Sequence, residues 1–139
     1  MTKEFLFDFI RQHKFGVLST VSPGNVPESA YVGIAVTQDL KIIFDTLSDT
    51  RKYKNILLNP NISFVIGWDN EKTVQYEGTA KIPETDERNK LLQTYFEIFP
   101  EKNVINTDWK TIAYFCVEPK WIRYSDFSEE TRQIKEINL

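Results

Sequence analysis

The sequence predicts an α+β fold dominated by β-structure, with six or seven antiparallel strands, two or three helices and a closed or nearly closed barrel. Three observations support this prediction. Short β-rich runs are separated by turn signals at hairpin spacing, a few segments carry apolar residues at helical spacing, and aromatic residues make up 14% of the chain. Barrel closure would protect so many short strands from exposed edges.

The first half of the chain is predicted to contain one helix and three strands. Apolar residues recur at helical spacing over residues 3–13, and Thr2 is a suitable N-cap. Two β-rich runs at 15–21 and 27–37 flank a Ser-Pro-Gly-Asn turn, which predicts a β-hairpin. A further turn at Gln38 and Asp39 leads into a third strand at 40–46.

The second half is predicted to alternate between helices and strand pairs. A short helix over 51–58 follows a Ser-Asp-Thr cap and ends at an Asn-Pro pair. Strands at 62–68 and 73–82 form the second hairpin. The acidic segment 83–87, with proline in the first turn, then predicts a helix that runs to about Phe99.

The last part of the chain is predicted to add two strands to the sheet. A loop at 101–109 precedes strands at 111–117 and 120–124, which are hinged at Glu118 and Pro119. The tail from about residue 127 is mostly polar, and we expect it to be peripheral. No interior linker or repeat divides residues 1–139, which predicts one domain.

Composition argues against several classes of function. The net charge of −3 gives no basic face for nucleic acid. Cys116 is the only cysteine and His13 the only histidine, so no disulfide and no cysteine- or histidine-rich metal site is expected. We expect Cys116 to be buried and His13 to have a surface or capping role. Neither a signal peptide nor an apolar run of about 20 residues is evident, so a cytoplasmic protein without membrane spans is expected.

One segment has the pattern expected of a phosphate site. The third predicted strand runs directly into Thr46-Leu47-Ser48-Asp49-Thr50-Arg51-Lys52. The segment combines hydroxyls, a helix N-terminus with free N–H groups, and two basic residues, all of which donate to phosphate oxygens. Arg51 and Lys52 oppose the helix dipole, a mismatch that a bound anion would relieve. The alternative is that both are ordinary solvated side chains.

Several motifs follow one another in a characteristic order. They are FGVLSTV at 15–21, PESAYVG at 27–33, IFDT at 43–46, TRKYKNI at 50–56, NPNIS at 59–63 and VQYEGTA at 74–80. From residue 5 to about 126, this series resembles the pyridoxamine 5'-phosphate oxidase-like, FMN-binding split-barrel proteins. The resemblance implies a split barrel and an FMN cofactor.

The resemblance also implies where FMN would bind. The end of the third strand approaches the ring and ribityl chain, and the basic pair binds the phosphate. The second strand flanks the flavin, and the fifth strand, usually of the other subunit, approaches the ring, with Trp68 a less certain contact there. The implied cofactor-binding residues are Ser29, Ala30, Tyr31, Val32, Thr46, Leu47, Ser48, Thr50, Arg51, Lys52 and Gln75.

Some of these positions have an alternative explanation in the residues themselves. Tyr31 and Trp68 would also suit plain barrel packing. Gln75 would also suit the polar face of an alternating strand. The Glu77-Gly78 pair marks either a ligand contact or a bulge where strands approach closely.

A homodimer with FMN at the subunit interface is expected on two grounds. The family's sites are shared between two chains. In addition, a barrel this small is not expected to enclose every large aromatic residue on its strands, which predicts an apolar outer patch. The residues concerned are Phe44, Phe64, Trp68, Tyr76, Tyr114, Phe115, Trp121 and Tyr124.

The chain departs from the vitamin-forming oxidases at its C-terminal end. Those enzymes are longer and bind pyridoxal phosphate with an arginine- and histidine-containing segment, whereas no histidine follows the run 121–126 here. We therefore expect an FMN-dependent oxidoreductase of another kind, similar to the short general-stress-type, nitroreductase-like and flavin-reductase relatives. Its substrate or electron donor and its catalytic residues are not predicted. The alternatives are a flavin-storage module without turnover, or a split barrel that binds haem or the deazaflavin F420.

Overall fold

The structure is a computed structural model that describes residues 1–103, 111–130 and 132–139. Within these ranges the chain forms eight strands and three α-helices. In chain order they are α1 (Lys3–Arg11), β1 (Phe15–Val21), β2 (Pro27–Gly33), β3 (Ala35–Val36), β4 (Ile42–Leu47), α2 (Arg51–Leu58), β5 (Asn61–Ile66), β6 (Lys72–Lys81), α3 (Thr85–Ile98), β7 (Ile112–Asp126) and β8 (Gln133–Asn138). Short 3-10 turns cover Asp69–Glu71 and Pro100–Lys102.

The strands form one curled sheet in the order β2-β1-β5-β6-β7-β4-β3, and β8 also pairs with β7. Every pairing between described strands is antiparallel. The prediction of a split barrel dominated by β-structure is therefore confirmed. Of the predicted loop at 101–109, residues 104–109 lie outside the described ranges. No described helix is long and apolar enough to cross a membrane.

The predicted strand at 27–37 is interrupted after Gly33, which was not expected. The N–H of Ile34 donates to the carbonyl oxygen of Lys14 at 2.9 Å, outside the β1–β2 ladder. The next turn is also longer than predicted, because Leu40 has a φ of 68° and its N–H donates to the carbonyl of Thr37. This left-handed residue delays β4 until Ile42.

The two predicted final strands are one continuous strand, β7, so the prediction of a hinge was wrong. Glu77 faces Trp121 across β6 and β7, whereas Gly78 faces Pro119, which leaves one extra residue on β7. The irregularity is thus a β-bulge, one of the two alternatives for the Glu77-Gly78 pair. A Cβ atom on Gly78 would lie 2.5 Å from the carbonyl oxygen of Glu118, which explains the glycine.

The polar tail forms a strand that the sequence pattern did not indicate. β8 pairs with the second half of β7, from Trp121 opposite Asn138 to Asp126 opposite Gln133. Arg123 on β7 forms an ion pair with Glu136 on β8. Because the side chains of β8 are mostly exposed, its sequence lacks the alternating pattern by which strands are recognised.

The main core lies inside the curled sheet and is closed by α1. Leu6 and Ile10 of α1 are buried in it, and Thr2 caps this helix by accepting the N–H of Phe5 at 3.1 Å, as predicted. Tyr76 is fully buried, and its hydroxyl donates a hydrogen bond to the backbone carbonyl oxygen of Leu40 at 2.8 Å. These contacts fix the barrel on which the candidate site is built.

A second apolar cluster lies on the outer side of the sheet, where α3 packs on β3, β4 and β7. Leu91 and Tyr95 of α3, and Phe99 directly after it, are buried there against Ile43 and Cys116. Cys116 is fully buried as predicted, and burial raises the pKa of its thiol to about 11. A thiol with so high a pKa is a packing residue and not a nucleophile.

The aromatic residues are more completely enclosed than expected. Five of the eight named above are buried, and Trp68 is the one that is clearly exposed. The buried ones are Phe44, Phe64, Tyr76, Phe115 and Tyr124. The exposed apolar groups on the outer face of β1, β2 and β5 are instead Phe15, Tyr31 and Val65.

Candidate functional site

A groove of about 200 Å³ lies between β1, β2 and the first turn of α2. Alternation along β2 places Ser29 on the opposite face from Glu28 and Ala30, so the lining includes both faces of this end strand. The groove is lined by Leu18, Thr20, Glu28, Ser29, Ala30, Arg51 and Lys52. It brings together four of the predicted cofactor residues, from strands and a helix that are distant in sequence.

Two threonines form the junction between β4 and α2. The hydroxyl oxygens of Thr46 and Thr50 lie 2.8 Å apart, and the Thr50 hydroxyl donates to the carbonyl of Leu47 at 2.8 Å. Thr50 also caps α2 by accepting the N–H of Tyr53. Helix geometry leaves the N–H groups of Arg51 and Lys52 without intrahelical acceptors, beside the groove.

The other predicted residues around this junction have structural roles of their own. Thr46 is buried and its hydroxyl is engaged by Thr50. The backbone N–H of Ser48 donates to the carbonyl of Thr111 at 3.1 Å. Leu47 is half-buried beside Ile112 in the β4–β7 ladder. None of these three contributes to the groove lining.

A buried polar network supports one side of the groove. The side-chain amide of Asn55, on α2, donates to Glu28 at 2.7 Å and to Thr20 at 3.0 Å. Oε2 of Glu28 lies 2.9 Å from Nη1 of Arg51. The Arg51 side chain is 79% exposed, whereas that of Glu28 is 17% exposed. The cation is thus oriented by a carboxylate that the core holds in place.

Tyr31 and Gln75 lie on the outer face of the sheet in one cross-strand row. Tyr31 faces Val17, Val17 faces Val65, and Val65 faces Gln75. Three inter-strand spacings separate the ends of this row, which is about 14 Å. Within one chain the strands β1 and β5 therefore separate Gln75 from β2, and its contact with the same ligand from a second chain stays a prediction.

The two remaining second-strand predictions differ in what they can contact. Tyr31 is exposed and its ring stacks on Phe15 with centroids 4.9 Å apart. Val32 is buried in the main core, so only its backbone is available to a ligand on the outer face. The Ser29 hydroxyl lies 3.0 Å from that of Ser19 on the neighbouring strand.

Comparison with known proteins identifies the family. A family model described as pyridoxamine 5'-phosphate oxidase matches residues 2–126. The chain belongs to this family. General stress protein 26 of Bacillus subtilis (strain 168) is 29% identical over 138 residues, which cover 93% of this chain and 91% of that protein.

Solved structures of low sequence identity share the family fold. A heme binding protein from Mycobacterium smegmatis has a TM-score of 0.79 at 13% identity, covering 99% of this chain and 58% of that one. A pyridoxamine 5'-phosphate oxidase-related, FMN binding protein from Nostoc punctiforme PCC 73102 has a TM-score of 0.65 at 10% identity, covering 91% and 86%. These similarities establish the fold and leave the ligand to be argued from the site.

The groove has donors and room for a phosphate group, with Glu28 offsetting one of its two positive charges. Arg51 and Lys52 provide a guanidinium fork and a point charge, and first-turn amides add uncharged donors. Sites for whole ligands of this kind occupy about 300–1,000 Å³, so a groove of about 200 Å³ holds the phosphate but not the ring system. The rest of a bound flavin would extend beyond this groove.

Glu28, Asn55 and Thr20 were missed as site residues. Glu28 lies within the PESAYVG motif but next to the residues that were selected. Asn55 follows Arg51 by four positions on α2, which places both on one helix face, and this spacing was the available signal. The pairing of Glu28 with Arg51 joins residues far apart in the chain, and no local pattern reveals it.

A larger cavity of about 580 Å³ lies elsewhere, between α1, β3 and α3, and includes none of the predicted residues. Lys41 in its lining is surrounded by three carboxylates, with Glu87 nearest at 3.2 Å. The hydrogen bond to Glu87 raises the pKa of Lys41. His13 also lines this cavity and packs against Gly67.

In the described ranges, no three His, Cys, Asp or Glu side chains are grouped to hold a metal ion.

Proposed function

We propose that this protein binds FMN and acts as an FMN-dependent oxidoreductase on a small-molecule substrate or electron donor yet to be identified. The observation that carries the proposal is the groove at the start of α2. There Arg51, Lys52 and Ser29 converge beside free helix N–H groups. Membership of a family with an FMN-binding relative makes a flavin phosphate the natural ligand for this groove.

Each groove residue has a distinct role in the proposed site. Arg51 provides planar, bidentate donors, and Lys52 adds a second positive charge. The Ser29 hydroxyl is available as a further donor once it turns from Ser19. FMN supplies the redox chemistry when bound, so the protein's task is to bind and orient it.

The proposal includes a homodimer with the flavin between the subunits. The groove holds only a phosphate, and its lining continues around β2 toward the outer sheet face. On that face Phe15, Tyr31 and Val65 are exposed. A second copy packed there would cover these groups and bring its own Gln75 toward the ring.

The deciding experiment compares FMN with riboflavin, which lacks only the phosphate. We expect the wild-type protein to bind FMN at least tenfold more tightly, because several charge-assisted hydrogen bonds are lost with riboflavin. Arg51→Ala should weaken FMN binding about three- to tenfold without unfolding the protein, since the Arg51 side chain is largely exposed.

The matched control is Lys54→Ala. Lys54 is an exposed cation on the same helix but does not line the groove. The control removes the same charge and should leave the FMN-to-riboflavin ratio unchanged. Equal affinity of the wild-type protein for the two flavins would rule out the phosphate role of the groove.

Two further measurements separate the alternative functions. The absorbance spectrum of purified protein titrated with FMN, haem and F420 distinguishes the three cofactors directly. Turnover of a reduced nicotinamide by the FMN-loaded protein distinguishes an oxidoreductase from a flavin-storage module. We do not expect formation of pyridoxal phosphate, because the run Trp121–Asp126 contains an arginine but no histidine.

A further inference from the structure

A carboxylate lies in the groove that the proposed function assigns to a phosphate. Glu28 lines the groove together with Lys52, and its Oε2 atom lies 2.9 Å from Nη1 of Arg51. Of the two cations available for an anionic ligand, one therefore already has an anionic partner within the chain. A phosphate that binds Arg51 has to compete with Glu28 or bind beside it.

The carboxylate is held in place from the protein interior. Its Oε1 atom accepts a hydrogen bond from Asn55 at 2.7 Å, and the same amide donates to Thr20 at 3.0 Å. Asn55 is 3% exposed and Thr20 is 2% exposed. Surface carboxylates usually turn away from an approaching anion, but this one is hydrogen-bonded by the buried Asn55, which is itself held by the buried Thr20.

The formal charges of the lining make the consequence explicit. Arg51 and Lys52 contribute two positive charges and Glu28 one negative charge, so the groove carries a net charge of +1. A phosphate monoester carries about −1.5 to −2 near neutral pH. The groove therefore neutralises only part of such a ligand, and the fixed carboxylate repels the remainder at short range.

We propose that Glu28 is a specificity-determining residue that weakens binding of dianionic phosphates by occupying Arg51 and by lowering the charge of the groove. This inference rests on the proposed function, because it takes the groove as the phosphate site. Its consequence is a flavin that exchanges with solution instead of staying permanently bound.

The test is Glu28→Gln, which removes the charge and keeps the shape. Binding of inorganic phosphate by 31P NMR titration and binding of FMN by fluorescence should both become about five- to tenfold tighter. Glu87→Gln is the matched control. Glu87, like Glu28, is a partly exposed carboxylate in an ion pair, with its Oε1 atom 3.2 Å from Nζ of Lys41, but it lies outside the groove. It should change neither affinity.

Arg51 should be required for most of the gain. In an Arg51→Gln background, Glu28→Gln should improve phosphate binding by no more than about twofold, since the competition for Arg51 has gone. If Glu28→Gln does not fold, as judged by circular dichroism, Glu28→Ala replaces it, because Asn55 keeps its hydrogen bond to Thr20.

The two proposals fail in different ways. Unchanged or weaker phosphate binding in the Glu28 variant overturns the inference, and weaker binding would mean that Glu28 positions Arg51 productively. That result leaves the FMN function intact if the wild-type protein still prefers FMN to riboflavin. Conversely, a gain in affinity for inorganic phosphate in a protein that binds neither FMN nor riboflavin supports the inference and overturns the flavin function.

Discussion

At the residue scale, the bulge in β7 depends on the absence of a side chain at the facing position of β6. A Cβ atom at Gly78 would lie 2.5 Å from the carbonyl oxygen of Glu118 and 2.7 Å from Val117 Cγ1. Both neighbours belong to the central strand β7, which is bonded to β6 on one side and to β4 on the other. Relief of the clash would therefore shift backbone that several strands share.

We expect Gly78→Ala to lower the free energy of unfolding by about 1–3 kcal/mol, the usual cost of overpacking. Gly24→Ala is the matched control, because the nearest atom to a Cβ there is the Ser22 hydroxyl oxygen at 3.9 Å. The control should be neutral or slightly stabilising. Urea unfolding followed by tryptophan fluorescence measures both, and equal stability of the two variants would contradict this account of the bulge.

At the element scale, α2 links the fold to the proposed function through its N-terminus. Thr50 caps the helix and is itself fixed by Thr46 and the carbonyl of Leu47. The same cap determines where Arg51 and Lys52 point. A change in the cap should therefore affect both stability and anion binding.

We expect Thr50→Ala to cost about 1 kcal/mol of stability and to weaken FMN binding, while Thr50→Ser restores both. Thr2→Ala is the matched control, because Thr2 caps α1 in the same way, by accepting the N–H of Phe5. It should cost similar stability without a change in FMN affinity. Thermal unfolding and FMN titration give the two readouts, and an equal loss of FMN affinity in both variants would show that only global stability is involved.

The accuracy of the sequence-based predictions differs between elements for a physical reason. Helices with caps and apolar stripes, and strands in hairpins, have local sequence signals. The predicted bounds of α2, 51–58, are therefore the observed ones. β8 was missed because its exposed side chains show no alternation. The split of 27–37 was missed because the backbone at Ile34 bonds to Lys14, twenty residues away.

The same distinction applies to the candidate site. Ser29, Ala30, Arg51 and Lys52 line one groove. The phosphate-site pattern pointed to Arg51 and Lys52, whereas only the family resemblance pointed to Ser29 and Ala30. Whether these residues hold FMN stays a prediction. The pairing of Glu28 with Arg51 could not be predicted, because it depends on how β2 lies against α2 and on the buried amide of Asn55.

At the scale of the whole molecule, the two outer sides of the sheet are covered unequally. α3 covers the outer side of β3, β4 and β7 with a buried apolar cluster. On β1, β2 and β5, the described elements leave Tyr31 63% exposed and Val65 40% exposed. These two lie in one cross-strand row with Val17 between them, and Phe15 stacks on Tyr31.

An exposed apolar row of this kind is typical of a subunit interface, and obligate homodimers bury such surfaces. We therefore expect sedimentation velocity to give about twice the chain mass of 16.3 kDa, with one FMN per chain. Twofold symmetry would make the two sites equivalent, with Arg51 from one chain and Gln75 from the other at each.

The decisive variant is Val65→Asp, which places a charge at the centre of the exposed row. It should give monomers. It should also weaken FMN binding by more than its loss of folding stability explains, because the second half of the site is lost. Ile82→Asp is the matched control, since Ile82 is similarly exposed at 46% but follows the end of β6. It should remain dimeric. A wild-type monomer that binds FMN tightly would show that one chain completes the site, because no second subunit would then be available to supply Gln75.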